Sequence, residues 1–257
     1  MVDHHTHAVR IRKAYEGTVI APIRHAEPRA TIDDAYVTQA INRDYWRAIG
    51  RRIVGTKIGL TSEAVQRQLG VDTPDFGILF ADMRVGDANI VHAGRLLQPR
   101  VEAEIAFCLN RDITEANVEI STLMEAIQYA APALEVVDSR ISDWDINMID
   151  TVADKASAGM FVLGSPTFDI RNIDLARCSM RMEKNGTLVS EGNGAACLGN
   201  PLNALRWLVL ERALRGDPLK AGNIILSGAL GPMIAANSGD SFHADIESIG
   251  SVDVYFA

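Results

Sequence analysis

Residues 98–107 read Gln98-Pro99-Arg100-Val101-Glu102-Ala103-Glu104-Ile105-Ala106-Phe107. Apolar and acidic side chains alternate along this stretch with a period of two, which is the period of a β-strand. Glu102 and Glu104 therefore share one face, about 7 Å apart, and repel each other unless a cation or water lies between them. The same face continues into Ala106 and Cys108, which are small and apolar, as if it ran into the protein. The residues alone leave two interpretations open: a metal site, or a solvent-exposed acidic face, which is the commoner place for paired glutamates.

The composition predicts a globular chain with a sizeable core. Of its 257 residues 47% are apolar, with no low-complexity tract or internal repeat. This length suits one large domain, or a domain with a smaller appendage. A net charge of −8 argues against nucleic acid or an anionic membrane surface as the main partner. No apolar run is long enough to span a bilayer, so we expect no membrane partner.

Cysteine usage and the first residues predict a cytoplasmic protein. Cys108, Cys178 and Cys197 are odd in number and widely spaced, which is typical of reduced thiols in a cytosol. Residues 1–7 lack the basic-then-apolar layout of a signal peptide, and we interpret them as a frayed terminus.

The first part of the chain is predicted to be mainly helical. A weak apolar stripe predicts a short helix over residues 8–16. Thr31, with an acidic residue three positions later, predicts the start of an amphipathic helix of about five turns. Residues 53–60 then read as a strand in which Lys57 stands between two glycines, which allow a backbone or a ligand to approach closely.

Later segments are mainly strands and turns. Residues 73–77 predict a turn that contains Asp75. The pair Asn185-Gly186 between two alternating segments predicts a hairpin, and Asn200-Pro201 predicts the start of a helix. The division of patterns predicts an α+β protein in which residues 1–70 form a small, mainly helical region and residues 71–257 a mainly β body.

One later strand carries a carboxylate inside an apolar run. Thr122 and a glutamate three residues on predict a helix that Pro132 ends, and residues 133–137 follow as a strand containing Glu135. A glutamate in such a run is costly unless it is paired or ligates a metal. The plain alternative is a salt bridge to Arg140 or another base, and the residues alone do not separate this from a metal site.

Seven blocks occur in the following order: KIGLTS (57–62), PDFG (74–77), QPRVEAE (98–104), ALE (133–135), DTVAD (150–154), ACLG with PLNA (196–204) and LSGALG (226–231). Together they resemble the 2-oxopent-4-enoate (2-hydroxypenta-2,4-dienoate) hydratases, within the fumarylacetoacetate hydrolase superfamily. The resemblance runs from about residue 8 to the end, and the joint occurrence of seven blocks is far more specific than any one of them.

The resemblance implies a mixed β-roll fold with a divalent cation, Mg²⁺ or Mn²⁺, held by Glu102, Glu104 and Glu135. Three oxygen ligands suit a hard octahedral cation and leave positions for substrate and water, whereas zinc would favour His or Cys ligands. The implied reaction adds water to a small-molecule dienol acid and gives a 4-hydroxy-2-oxo acid. The family further implies a homo-oligomer, and a downstream enzyme of the same pathway is a further candidate partner.

The resemblance also implies roles for other residues. Lys57 would stabilise charge near an enolate, Asp75 would transfer a proton or position water, and Ser157 would hydrogen-bond substrate or water. Ser227 would contact the substrate carboxylate. Without the resemblance, a solvated strand lysine, an ordinary turn aspartate and plain turn chemistry at Ser227 are the favoured interpretations.

Two residues depart from the family pattern. Lys155 stands where asparagine is usual, and Asn200 where many members have histidine. A lysine close to a cationic site would weaken metal binding or bind an acidic group of the substrate, and it matters little if it points outward. We include Lys155 among the candidate substrate-binding residues.

Three alternative functions are open at this stage. The first is a 4-oxalocrotonate-type decarboxylase, in which Lys155 would meet a second carboxylate, although blocks 66–70 and 74–77 look more like the hydratase. The second is carbon–carbon hydrolysis, which is disfavoured because no histidine has a glutamate three positions on. The third, from another class, is a non-catalytic subunit that binds a partner enzyme of the pathway.

Overall fold

The acidic stretch forms a long strand of a seven-stranded mixed sheet in the computed structural model, which describes residues 2–62, 66–67, 71–86 and 88–257. Strands along these residues are β1 (Ile53–Gly59), β2 (Asp75–Phe80), β3 (Ile90–Val91), β4 (Pro99–Leu109), β5 (Ile127–Asp138), β6 (Ala158–Leu163), β7 (Ser179–Lys184), β8 (Thr187–Asn193), β9 (Ile224–Ala229), β10 (Ile234–Ala235), β11 (Ser241–Ile246) and β12 (Gly250–Phe256). Helices are α1 (His4–Ala14), α2 (Ile23–Ala26), α3 (Ile32–Ala48), α4 (Ile120–Ala126), α5 (Met148–Ala153) and α6 (Pro201–Leu214).

The strands form two sheets. The larger sheet has the order β2-β1-β9-β4-β5-β6, with β10 pairing to β4, and only its β1–β9 pair is parallel. The smaller sheet has the order β3-β12-β11-β7-β8, and its β11 and β12 strands pack against β5. This arrangement of helices with two mixed sheets confirms the predicted α+β, β-roll fold class.

Strand β4 lies at the middle of the larger sheet, between β9 and β5. The residues of its apolar face, Val101, Ala103, Ile105 and Phe107, are all at most 1% exposed. Because side chains of a strand alternate between faces, this burial fixes Glu102 and Glu104 on the opposite face. The predicted strand and its alternation are confirmed.

The N-terminal region is more ordered than the sequence indicates. Helix α1 begins at His4 with Asp3 as its cap, so the interpretation of residues 1–7 as frayed is wrong for its described part. His7 is buried, 3.4 Å from a carboxylate oxygen of Glu27, which ties this turn down. Helix α3 begins with the predicted capping box of Thr31.

The helical region and the sheet are joined through β1. This strand precedes residue 70 yet pairs with β2 and β9 inside the larger sheet. A division of the chain into residues 1–70 and 71–257 stays a prediction. Within the described ranges, no helix has both the length and the apolar character needed to cross a bilayer.

The segment around Pro132 differs from its prediction. Helix α4 ends at Ala126, and Pro132 lies within β5 instead of ending a helix. The Pro132 carbonyl accepts a hydrogen bond from the N–H of Gly164, just beyond the end of β6. The backbone N and O of one residue point to the same side of an antiparallel strand. The nitrogen of Pro132, which carries no hydrogen, therefore points toward residues just beyond the end of β6, where no ladder hydrogen bond is needed.

Several local predictions are confirmed. Asn185 and Gly186, with φ of 54° and 76°, form the two-residue turn between β7 and β8. Asn200 caps α6 through the N–H of Leu202, and Pro201 is its first residue. The three cysteines are free thiols and all are buried.

Candidate metal and substrate site

Pairing between β4 and β5 brings three glutamates together. Glu102 lies directly opposite Glu135 in this antiparallel register, and Glu104 follows two residues later on the same face. One carboxylate oxygen from each lies within 4.8 Å of the others. The two strands, far apart in sequence, therefore build one acidic cluster.

Three buried oxygens of this cluster have no hydrogen-bond partner. Glu104 and Glu135 are fully buried, and the unpartnered atoms are Oε1 of Glu104 and both oxygens of Glu135. Two polar groups lie close to these carboxylates. The N–H of Gly228 donates to Oε2 of Glu104 at 2.8 Å, and Nζ of Lys57 forms an ion pair with Glu135, 3.2 Å from its Oε2. Buried carboxylates are costly without a counter-charge, and an all-oxygen donor set fits a hard divalent cation.

The electrostatics of the cluster agree with this fit. Burial, opposed by Lys57, raises the pKa of Glu102 to about 7. Burial and the neighbouring Glu135 and Glu102 charges raise the pKa of Glu104 well above its ordinary value. Burial alone would lower the pKa of Lys57, but the carboxylates around it, Glu135 first, raise it above its usual value. The carboxylates therefore favour the charged form of Lys57, while burial disfavours the charged form of the glutamates.

A second carboxylate, that of Asp75, lies beside Lys57. Asp75 is the first residue of β2, not a turn residue, and it pairs with Gly59 at the end of β1. A Cβ atom on Gly59 would lie 2.3 Å from Oδ1 of Asp75 and 3.2 Å from Nζ of Lys57, so only glycine leaves room for both groups. Thr151 donates to Oδ2 of Asp75 at 3.1 Å, and Oδ1 has no partner. Burial, opposed by Lys57 and Thr151, raises the pKa of Asp75.

Ser157 comes from a segment with an unusual backbone. Lys155, Ala156 and Ser157 have φ angles of 58°, 50° and 53°, three consecutive non-glycine residues in the left-handed region. Such strain persists only where the surroundings fix it. Here the Lys155 carbonyl packs so closely on Gly77 that a Cβ there would lie 2.0 Å from it. The buried Ser157 hydroxyl has no hydrogen-bond partner.

These groups surround a cavity of about 640 Å³. The polar residues of its wall include Lys57, Asp75, Glu102 and Ser157. The apolar residues include Leu60, Val137, Trp144, Ile146 and Met233. The structure thus brings together the predicted catalytic residues Lys57, Asp75 and Ser157 and the predicted ligands Glu102, Glu104 and Glu135. Their roles stay predictions.

Arg100 and Thr151 are among the cavity residues to which the sequence assigned no role. Arg100 shares the face of Glu102 at the same two-residue spacing, so the alternation of residues 98–107 already carried the signal. Thr151 lies in the DTVAD block (150–154), but its contact with Asp75 spans 76 positions and no local pattern predicts it.

Of the bases proposed as partners for Glu135, Arg140 is wrong, whereas the other possibility, another base, is met by Lys57. Arg140 is buried and bonds to Asp154 through Nε at 2.6 Å and through its backbone N–H at 2.9 Å. Glu135 has Lys57 beside it instead. Ser227 is fully buried next to Gly228, with its hydroxyl unpartnered, and its contact with the substrate stays a prediction.

Lys155 requires a correction. Its Nζ donates to the carbonyl of Ala158 at 3.0 Å and lies 3.2 Å from Sδ of Met83. Three aromatic rings lie within 6.0 Å of it, those of Tyr15, Trp46 and Phe80. Burial, followed by repulsion from Arg140 and Arg51, lowers its pKa well below the usual lysine value. None of these contacts belongs to the cavity wall, so the ammonium does not reach a substrate there.

The chain is similar to known proteins over most of its length. The family model described as "Fumarylacetoacetate (FAA) hydrolase C-terminal" matches residues 53–256. The "2-keto-4-pentenoate hydratase 1" of Dechloromonas aromatica (strain RCB) is 54% identical over 242 residues, covering 94% of this chain and 92% of that protein. The "2-keto-4-pentenoate hydratase" of Burkholderia vietnamiensis (strain G4 / LMG 22486) is 51% identical over 250 residues, with 97% and 95% covered.

Among solved structures, the 4-oxalocrotonate decarboxylase from Pseudomonas putida G7, complexed with magnesium and adipate, has a TM-score of 0.94 and 31% identity. The similarity covers 100% of this chain and 99% of that one.

The cluster predicts divalent-cation binding. We expect the protein to bind one Mg²⁺ or Mn²⁺ per chain, and Glu104→Gln to weaken binding by more than the roughly 10–100-fold typical of losing an outer-shell partner. Titration of Mn²⁺ followed by electron paramagnetic resonance measures this. Glu115→Gln, at an exposed position, is the matched control and should bind as the wild type does. Equal affinity in Glu104→Gln and wild type would contradict the site.

The raised pKa of Glu102 predicts a pH-dependent effect of the cation. Its folded-state pKa of about 7 lies above the ordinary 4.5, so its contribution to stability is full below about pH 4.5 and is lost as pH rises through about 7. A cation replaces the lost protons, so Mg²⁺ should raise the melting temperature more at about pH 8 than at about pH 5.5. Differential scanning calorimetry at both pH values tests this; an equal or larger shift at the lower pH would contradict it.

The placement of Lys155 predicts that its charge is dispensable for binding. Among the described residues, no carboxylate lies at ion-pair distance from its Nζ, so Lys155→Met should not lower the melting temperature and should leave the Michaelis constant for the substrate unchanged. Steady-state kinetics and thermal melts check both expectations. A raised Michaelis constant with an unchanged melting temperature would restore Lys155 as a substrate-binding residue.

Proposed function

This chain belongs to the fumarylacetoacetate hydrolase family, and we propose that it adds water to 2-hydroxypenta-2,4-dienoate, or a longer homologue, to give a 4-hydroxy-2-oxo acid. It is an enzyme, a hydro-lyase of the 2-keto-4-pentenoate hydratase type. The proposed setting is the meta-cleavage catabolism of aromatic compounds. The observation that carries the proposal is the convergence of three glutamates, within 4.8 Å, beside Lys57 and Asp75 at one cavity.

The proposed cofactor is Mg²⁺ or Mn²⁺, held by Glu102, Glu104 and Glu135. When bound, such a cation would polarise the 2-oxygen of a 2-oxo acid and stabilise the negative charge that collects there during the reaction. The unpartnered oxygens of Glu104 and Glu135 are the groups available to it.

Lys57 supplies a fixed positive charge. It is 3% exposed, and its ammonium is held 3.2 Å from Glu135 on one side and beside Asp75 on the other. A charge fixed in a dry cavity is worth more to a developing enolate than the same charge in water, because no solvent has to reorganise.

Asp75 moves a proton. Its Oδ1 has no partner, and burial raises its pKa, which suits a group that donates a proton. The Thr151 hydroxyl holds Oδ2, which fixes the direction in which Oδ1 points. We assign Asp75 to protonation of the far end of the diene, and the unpartnered Ser157 hydroxyl to orientation of the attacking water.

Decarboxylation of a 4-oxalocrotonate-type diacid is the second candidate, because the 31% identical decarboxylase has nearly the same backbone. Hydration is favoured by relatives at 51–54% identity. Lys155 was the residue proposed to bind the second carboxylate of a diacid, and its ammonium is bonded to groups outside the cavity wall. The non-catalytic subunit is set aside because the chain is an enzyme. Homo-oligomerisation, a cytoplasmic location and a downstream partner enzyme stay predictions.

An ultraviolet assay of purified protein tests the function. We expect Mg²⁺-dependent loss of 2-hydroxypenta-2,4-dienoate, formation of the 4-hydroxy-2-oxo acid, and no turnover with chelator. Lys57→Met and Asp75→Asn should each lower kcat by roughly 100-fold or more, since each removes charge stabilisation or proton transfer. Carbon dioxide release from 4-oxalocrotonate, measured in parallel, separates the second candidate. Absence of hydration at saturating Mg²⁺ and Mn²⁺ would contradict the proposal.

A further inference from the structure

Arg100 occupies the same strand face as the metal-binding glutamates. It precedes Glu102 by two residues on β4, so their Cα atoms are separated by about 7 Å. Both residues line the cavity. The guanidinium is close enough to lower the pKa of the Glu102 carboxyl, although burial and Lys57 affect that pKa more.

The guanidinium of Arg100 lies over an aromatic ring. Its carbon lies 4.5 Å from the centroid of the Trp144 ring, and the Trp144 indole N–H donates to the carbonyl of Gln98 at 3.0 Å. Trp144 and its neighbour Asp143 both have left-handed backbones, with φ of 56° and 58°. Stacking on a fixed ring occupies a face of the guanidinium and leaves its N–H edge free to donate.

Arg100 differs from the other arginines that are withdrawn from solvent. Five of these make ion pairs: Arg24, Arg43, Arg51, Arg140 and Arg212. Within the described ranges, no hydrogen bond or ion pair occupies the guanidinium of Arg100. A half-buried, oriented, unpaired arginine at a cavity wall is suited to a planar anion, which it binds through two parallel N–H···O bonds.

We propose that Arg100, stacked on Trp144, binds the C1 carboxylate of a 2-oxo or 2-hydroxydienoic acid and so orients the substrate over the three glutamates. This inference deepens the proposed function and rests on it. Two features favour the C1 carboxylate, and not a distal carboxylate, as the group that Arg100 binds. Arg100 neighbours Glu102, and the functional groups that act on the 2-oxygen must lie beside C1. The same cavity also has apolar lining residues, which include Leu60, Ile146 and Met233 and suit the hydrocarbon end of the substrate.

Calorimetric binding of 2-oxopentanoate, an unreactive 2-oxo monoacid, in the presence of Mg²⁺ tests the inference together with steady-state kinetics. We expect Arg100→Met to weaken the binding of this monoacid, and to raise the Michaelis constant for the dienoate substrate, roughly tenfold or more, with a much smaller change in kcat. Arg100→Lys keeps the charge without the bidentate geometry and should give an intermediate increase. Arg95→Met, at an exposed arginine outside the cavity, should behave as the wild type does.

Several outcomes would overturn the inference. Unchanged binding of the monoacid by Arg100→Met and Arg100→Lys is one. A loss confined to a dicarboxylate substrate would assign Arg100 to a distal carboxylate, and a weakened Mg²⁺ affinity equal to the loss of 2-oxopentanoate binding would assign it a structural role. Because 2-oxopentanoate binding needs no turnover, a wild-type protein that binds it through Arg100 but does not hydrate the dienoate would contradict the proposed reaction alone.

Discussion

Three carboxylates held together away from water are the constraint on which the rest of the site depends. Glu104 and Glu135 are fully buried, and Glu102 lies opposite Glu135 in the register of β4 and β5. A slip of one residue in that register would turn the acidic face of β4 into the core and its apolar face toward the cavity. The burial of Val101, Ala103, Ile105 and Phe107 therefore fixes the glutamates as firmly as any contact that the glutamates make themselves.

The order of strands in the sheet explains why the other groups arrive at the same place. Strand β9 separates β4 from β1, and β1 carries Lys57, while β2 on its far side carries Asp75. Side chains of four strands, β2, β1, β4 and β5, thus meet, although they span residues 57 to 135. Glycine is required where this approach is closest: Gly59 leaves space for Lys57 and Asp75, and Gly228, with φ of 107°, brings its N–H to Glu104.

The sequence predicted those parts of the site that local pattern controls. The alternation in residues 98–107 located β4 and its acidic face, and the joint blocks pointed to Glu135, Lys57 and Asp75. Predictions were wrong where a distant contact decides the structure. Pro132 lies inside a strand because β6 ends beside it, and Lys155 turns away from the cavity because the rings of Tyr15, Trp46 and Phe80, with the Ala158 carbonyl, accommodate its ammonium. No local pattern contains that information.

The distribution of polarity in the cavity separates the groups suited to chemistry from those suited to selection. Lys57 and the three glutamates lie on β1, β4 and β5, which are hydrogen-bonded to a strand on each side, whereas much of the apolar wall comes from connecting segments such as that of Trp144 and Ile146. The sheet keeps the cation site and the charged side chains in fixed positions, since side chains on rigid elements are placed more precisely than those on loops. Exchange of residues in the connecting segments would then alter which substrate acid fits the cavity without moving the charged groups on the sheet. The solved decarboxylase, with a TM-score of 0.94 at 31% identity, illustrates that the backbone can stay nearly constant while about two-thirds of the residues change. Differences between hydration and decarboxylation must therefore be sought in the residues that line the cavity, and not in the fold.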